Sequence, residues 1–237
     1  MILLIAEKPS VAGSLAEVLG ATEKKVGYYS GNGYLVTYAF GHLFQLYDAK
    51  DYSPIYEKWD IANYPVIPDQ FRYKLIDDPG VKKQFKVIQE LGTKPDLEYI
   101  INAADSDREG ELLAAEIIAA LRTSKPVKRL WVSSHTPEDI KAGIKNLRSA
   151  DRMRPLLEAG YARQWIDWLI GINYTVAATK LYGEKQVLKI GRVILPVLQL
   201  LHDRETAIKD FKPESYYELQ IVFDTGKGPY SGLYLNQ

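Results

Sequence analysis

Two short apolar runs constrain this chain more than any other feature: ILLIA at residues 2–6 and LEYIINAA at residues 97–104. Each has the length of a buried strand. Each gives way at once to a charged turn and then to apolar residues at helical spacing. After the first run, EKPS forms the turn, Pro9 suits the first position of a helix, and Val11, Leu15, Val18 and Leu19 carry that helix to Gly20. After the second, DSDRE forms the turn and a helix is read over EGELLAAEIIAALR. A strand followed by a covering helix, repeated, predicts an α/β fold: a mostly parallel, Rossmann-like sheet with helices on both faces.

The segments between obey the same pattern. YYSGNGYLVTYAFGH reads as a hairpin turning at Gly31–Asn32–Gly33. Residues 47–80, rich in Tyr, Pro and Asp, read as a long irregular excursion. Val81, Phe85 and Ile88 mark a helix ended by Gly92. VKRLWVSS reads as a third strand, and TPEDIKAGIKNLR opens a helix with Thr136 as cap and Pro137 in its first turn. The alternation stops near residue 150. Residues 151–210 show helical periodicity alone, carried by Leu156, Leu157, Trp165, Trp168, Leu169, Ile172 and Val176, with a second helical run after Gly191. Strand alternation returns at SYYELQIVF, and TGKGP reads as a turn into YSGLYLNQ, where the chain stops. The expected division is therefore 1–150, 151–212 and 213–237, the last being the start of a β-rich domain cut short.

Composition narrows the chemistry. The chain has no cysteine, so disulfides and thiolate metal sites are excluded. The start lacks the basic lead and long apolar core of a signal peptide, and no apolar stretch reaches membrane-spanning length. We expect a cytoplasmic protein with no membrane partner. The formal net charge is +0, which argues weakly against nucleic acid, yet Arg122 to Arg154 holds nine Lys or Arg against three Asp or Glu. A neutral chain can carry a locally positive surface.

The densest chemistry lies in NAADSDREGELLAAEI, where Asp105, Asp107, Glu109 and Glu111 crowd together around Arg108. In a doubly wound sheet, ligands bind beyond the carboxyl ends of the strands. If strands 2–6 and 97–104 are neighbours, Glu7, Lys8, Asp105, Asp107 and Glu109 face one cleft. A divalent cation would relieve the mutual repulsion of these acids. Magnesium takes one or two carboxylates, keeps several waters and accepts phosphate oxygens, and Lys8 and Arg108 would supply positive charge for that phosphate. Acids in a first helical turn also stabilise the macrodipole, by roughly 0.3–1 kcal/mol each. Glu111 fits that second reading, as does Glu109. Asp105 and Asp107 precede the helix, where capping does not need both. Spacing alone leaves the two readings open.

IAEKPS followed about a hundred residues later by DSDREGE resembles the Toprim domain of the type IA DNA topoisomerases, in particular the topoisomerase III branch. GNGYLVTYAFGHL, WDIANYPVIPDQF, RQWIDWLIGINYTVAAT and LKIGRVILPVLQLLHDRETAIKDF extend the resemblance in order over nearly the whole chain. It implies a Toprim domain over 1–150, part of a helical strand-binding domain over 151–212, and the beginning of a β-rich linking domain. It implies magnesium-dependent transient cleavage and religation of DNA, with single strands as the preferred partner; a helicase partner has no signature in these motifs. Glu7 matches the glutamate that assists proton transfer, and Lys8 the lysine on the scissile phosphate. Asp105, Asp107 and Glu109 match the acids that hold magnesium, beside Glu7. Arg163 and Asp167 match residues lining the single-strand groove, although four apart on one helix face they also fit an ordinary ion pair, and Arg192 matches an arginine near the bound strand.

By helical spacing Trp165 and Trp168 belong to a core, although they and Tyr174 are of the type that stacks on bases. His135, after the WVSS run, falls on the cleft side, where a lone histidine is more often structural than functional. Two departures stand out. The family continues GRV with Gln and then Thr or Ser, where this chain has Ile194 and Leu195. None of the 17 tyrosines has the Pro, Arg, Thr and Asp context of the family's nucleophile, so the chain by itself is expected not to cleave DNA. The rival class is a non-catalytic DNA-binding or regulatory protein that keeps the Toprim fold. The helical segment argues against a Toprim nuclease or primase.

Overall fold

The computed structural model describes residues 1–234. The end of YSGLYLNQ, residues 235–237, lies outside the described residues. In chain order the first half comprises β1 (Ile2–Ala6), α1 (Pro9–Leu19), β2 (Glu23–Lys25), β3 (Tyr28–Gly31), β4 (Tyr34–Tyr38), β5 (Phe44–Leu46), α2 (Ala49–Tyr52), β6 (Tyr73–Leu75) and α3 (Pro79–Gly92). There follow β7 (Tyr99–Ala103), α4 (Arg108–Leu121), β8 (Val127–Arg129), α5 (Pro137–Lys145), β9 (Arg148–Ser149), α6 (Ala150–Tyr182), α7 (Ile194–Lys209), β10 (Gln220–Asp224) and β11 (Pro229–Leu233).

The two apolar runs are neighbouring strands. β1 and β7 pair in parallel with Ala6 opposite Ala103, so both end at the same level. The sheet has seven strands in the order β2-β3-β4-β1-β7-β8-β9. Its centre, β4-β1-β7-β8, is parallel, and the outer strands β2, β3 and β9 join antiparallel. Alternation along β1 sends Leu3 and Ile5 to one face, where Ile88 and Leu91 of α3 and Leu113 and Ile117 of α4 cover them. Leu4 and Ala6 go to the other, under Ala12, Leu15 and Leu19 of α1 and Ile140 of α5. The helices following two adjacent strands, α1 and α4, thus lie on opposite faces. That divergence opens a crevice at the carboxyl ends of β1 and β7.

The hairpin turns where the sequence places it, with Asn32 and Gly33 both left-handed at φ 48 and 79°, as a two-residue type I′ turn requires. The third strand-like run is shorter than expected. β8 stops at Arg129, and by Val132 the backbone N–H turns to Ser106 Oγ, 3.0 Å away, instead of continuing the ladder. Beyond β8 the chain lines the crevice. The excursion over 47–80 is irregular but pinned to α6. Phe71 stacks on Trp165 with centroids 4.9 Å apart, Tyr52 and Phe71 meet the edge of Trp168, and Asn173 bonds both the N–H and the carbonyl of Val66.

The chain forms two compact units, Met1–Arg192 and Val193–Gln237. In the second, α7 precedes an antiparallel β10–β11 hairpin whose turn carries Gly226 and Gly228 at φ 72 and 130°. The strand read from Ser215 begins only at Gln220, where its pairing with β11 starts. No helix among the described residues is long and apolar enough to cross a membrane.

Candidate functional site

The crevice between β1 and β7 gathers part of the expected set. Glu7 follows β1 directly, and Lys8, with extended backbone, occupies the N-cap position of α1. The Lys8 ammonium lies 2.8 Å from Asp105 Oδ2 and 3.2 Å from Glu7 Oε1. Those contacts, Asp105 foremost, raise its pKa. One cation thus touches the carboxylates that end both strands.

The other acids are held elsewhere. Asp107 is the N-cap of α4, its Oδ1 accepting from the Gly110 N–H at 2.7 Å. Glu109 turns away to His42, whose Nε2 lies 2.9 Å from Glu109 Oε1. His42 Nδ1 lies 3.1 Å from Glu116 Oε2, a buried carboxylate of α4. Gln164 of α6 donates to the second oxygen of Glu116 at 3.0 Å, Tyr73 donates to Gln164 at 2.7 Å, and Trp165 donates to Tyr73 at 3.0 Å. The Glu116 bond, aided by Glu109 and opposed by burial, pushes the His42 pKa up to about 9. Glu111 lies in the first turn of α4, as the macrodipole reading has it, and also makes a contact that the sequence did not show. That residue is buried, and Arg129 Nε lies 2.8 Å from its Oε2, while Asn102 donates to the same oxygen at 3.1 Å. Burial raises the Glu111 pKa and lowers that of Arg129, against their mutual attraction.

Arg129 supports the acidic turn from behind. Its Nη1 donates to the carbonyls of Ala104 at 2.7 Å, Leu130 at 2.8 Å and Asn102 at 3.2 Å, and its Nη2 to Asp105 O at 2.5 Å. Its Nε contact with Glu111 is a charge contact without hydrogen-bond alignment.

Among the described residues, no group of three or more His, Asp or Glu side chains is arranged to hold a metal. The donor set nonetheless fits magnesium, which needs only one or two carboxylates when phosphate completes its shell. Glu7 and Asp105 already share one cation, and Asp107 commits only Oδ1 to its cap.

Gly110 makes this turn possible. A Cβ there would lie 2.3 Å from the Asp105 carbonyl oxygen and 2.9 Å from its nitrogen, backbone atoms with no rotamer to yield. Gly110→Ala is expected to cost about 1–3 kcal/mol as overpacking and to move Asp105 off Lys8. Urea unfolding and metal titration check it, and a variant unchanged in both would show the turn to be pliable. Arg108, the first residue of α4, lays its stem near Gly160 of α6, where an added Cβ would be 3.4 Å from Arg108 Cγ.

The three residues expected to line a strand groove also meet. Asp167 takes Arg192 in a two-pronged contact, Nε to Oδ1 at 2.7 Å and Nη2 to Oδ2 at 2.9 Å, and Arg163 Nε is 3.8 Å from Asp167 Oδ2. Trp165 and Trp168 are packing residues. Trp165 lies between Phe71 and Tyr161, and Trp168 donates to the Tyr47 carbonyl at 2.8 Å. Tyr174 is exposed, and Ile194 and Leu195, at the start of α7, are exposed too. His135 lines a cleft with Asp105, Asp107 and Trp131.

His42, Glu116, Arg129 and Gln164 escaped the sequence reading. Two left a trace. Glu116 is an acid inside the apolar run LLAAEII, and strand alternation puts Arg129 on the opposite side from the exposed Lys128.

A model described as Toprim domain matches residues 2–135, and one described as DNA topoisomerase matches residues 151–235. DNA topoisomerase 3 of Staphylococcus epidermidis is 39% identical over 222 residues, covering 94% of this chain and 31% of the relative. DNA topoisomerase 3 of Bacillus licheniformis is 40% identical over 222 residues, covering 94% and 30%. The chain thus spans about a third of the length of these curated relatives. The solved structure of full-length topoisomerase I from Thermotoga maritima superposes with a TM-score of 0.58 at 26% identity, covering 94% of this chain and 33% of that one.

Proposed function

The chain belongs to the Toprim family, in its type IA DNA topoisomerase branch, and from that membership we propose that it supplies the phosphate- and metal-handling part of a magnesium-dependent strand-passing enzyme acting on DNA in the cytoplasm. The observation that carries this reading is the Lys8 ammonium, seated between Glu7 and Asp105 at the carboxyl ends of two adjacent parallel strands. A scissile phosphate entering there meets Lys8, the N-terminal ends of α1 and α4, and Arg108. Glu7, 3.2 Å from Lys8, would hold or pass a proton at the bridging oxygen. Asp105, Asp107 and Glu109, with Glu7, would hold the magnesium, and the ion would neutralise charge building on the phosphoryl oxygens. Glu109 must leave His42 to join that set. The attacking tyrosine belongs to a part of such enzymes that these residues do not match.

In this reading residues 1–150 form the catalytic half, 151–212 carry the single strand past Arg163, Asp167 and Arg192, and 213–237 begin a β-rich linking domain.

The test is calorimetric titration with magnesium or manganese. Asp105→Asn with Asp107→Asn is expected to lower affinity at least tenfold. Asparagine caps helices as well as aspartate, so the start of α4 survives the change. Wild-type affinity in the double variant would overturn the assignment.

A further inference from the structure

Residues 136–150 lie between the two family matches, and they build one wall of a groove. A cleft of about 450 Å³ is lined by Trp131, Ser133, Asn146, Arg148 and Arg152, among others. A second, of about 430 Å³, is lined by Asp105, Ser106, Asp107 and His135. Both include Trp131, Val132 and Ser133, so the surface runs on from the acidic crevice to the two arginines.

The far end is built for anions. The Arg148 guanidinium lies over the Trp131 ring, 4.4 Å from its centroid. Such stacking fixes the plane of the guanidinium while leaving its N–H edge open, the geometry that takes phosphate oxygens in pairs. Among the described residues, the arginines in ion pairs are Arg129, Arg154, Arg163 and Arg192; Arg148 and Arg152 are not in that group. Asp139 also lines the cleft. Its Oδ2 accepts from the hydroxyls of Thr136 at 2.9 Å and Ser134 at 2.5 Å, so local donors hold its charge.

We propose that this groove carries the sugar–phosphate backbone of a single DNA strand leaving the acidic crevice, with Arg148 and Arg152 each engaging one phosphate. The inference rests on the reading that the Lys8 crevice holds a phosphate of the same strand. It assigns the strand a path over β8, β9 and the 131–133 segment, separate from the Arg163–Asp167–Arg192 cluster.

The test is anisotropy of a labelled oligothymidylate at several salt concentrations. Each phosphate contact contributes roughly −0.7 to the slope of log K against log salt for single strands. Arg148→Ala with Arg152→Ala is expected to make the slope shallower by roughly 1.4 and to weaken binding at least tenfold at low salt. Arg148→Lys, which keeps the charge and loses the fork, is expected to weaken binding several-fold at nearly constant slope. Trp131→Leu is expected to do the same. An unchanged slope in the double alanine variant overturns the groove. So does wild-type affinity in Arg148→Lys and Trp131→Leu together, or equal affinity for inorganic polyphosphate of the same charge. Failure of the parent reading shows separately, as unchanged metal affinity in the Asp105→Asn, Asp107→Asn variant.

Discussion

Arg129→Met is expected to destabilise the protein by about 3–5 kcal/mol, the cost of removing one member of a buried ion pair. For a chain of 237 residues this lowers the melting temperature by roughly 6–20 °C. Arg129 is 1% exposed, and its guanidinium collects the carbonyls of Asn102, Ala104, Asp105 and Leu130. Methionine fills much of the volume and satisfies none of them. It also leaves the Glu111 carboxylate buried beside Asn102 alone. Combining Arg129→Met with Glu111→Leu is expected to recover part of the loss, because no charge is then stranded, but not all, because the Ala104 and Leu130 carbonyls lose their donor while those of Asn102 and Asp105 keep only a backbone N–H. The Asp105 carbonyl is one of those released, so metal affinity should fall in both variants. Differential scanning calorimetry checks the first result. A loss below about 1 kcal/mol in Arg129→Met would mean that water replaces the guanidinium.

The second large effect is a dependence of stability on pH from His42. Its folded pKa of about 9 lies above the ordinary value of 6.5 because Glu116, and then Glu109, hold the imidazolium. The folded state therefore binds the proton more tightly than the unfolded chain. The stabilisation is complete below about pH 6.5 and disappears as pH rises through 9. The interval sets an upper bound of about 3 kcal/mol. Solvent screening of the half-buried ring reduces it to roughly 1–2 kcal/mol. In metal-free buffer, the urea midpoint of the wild type should decline between pH 7 and 10, and that of His42→Gln should stay comparatively flat. Parallel curves for the two proteins would remove the bridge from the account.

These two residues mark the border of what the sequence could say. The crevice was legible because its parts are local. A strand of five apolar residues must be covered, the turn that follows must sit at its carboxyl end, and pairing of β1 with β7 then places Glu7 beside Asp105. The hairpin at Asn32–Gly33 and the Thr136 cap were legible for the same reason, since each is set by a few adjacent residues. The division of labour among the acids was not. Asp107, Glu109 and Glu111 have the same chemistry and nearly the same spacing, yet one caps a helix, one meets His42 and one meets Arg129. Their partners lie 67 residues before Glu109 and on another strand for Glu111, and no periodicity records a contact of that range. The excursion over 47–80 was illegible in the same way: its tyrosines and phenylalanine make sense only against α6.

α6 has 33 residues, a rod of about 50 Å at 1.5 Å per residue. Its early turns lie on α4 at Gly160, and its middle is gripped by Phe71, Tyr52 and Tyr73. Arg163 and Asp167 sit on the gripped part. Between the acidic crevice and those two side chains there is consequently no joint to flex. A polymer engaged at both places would be gauged, in nucleotides, by a stiff caliper whose jaws are the first turn of α4 and the second turn of α6 beyond its contact with that helix. Adjustment of the gap would have to come from the polymer, which is the softer of the two bodies.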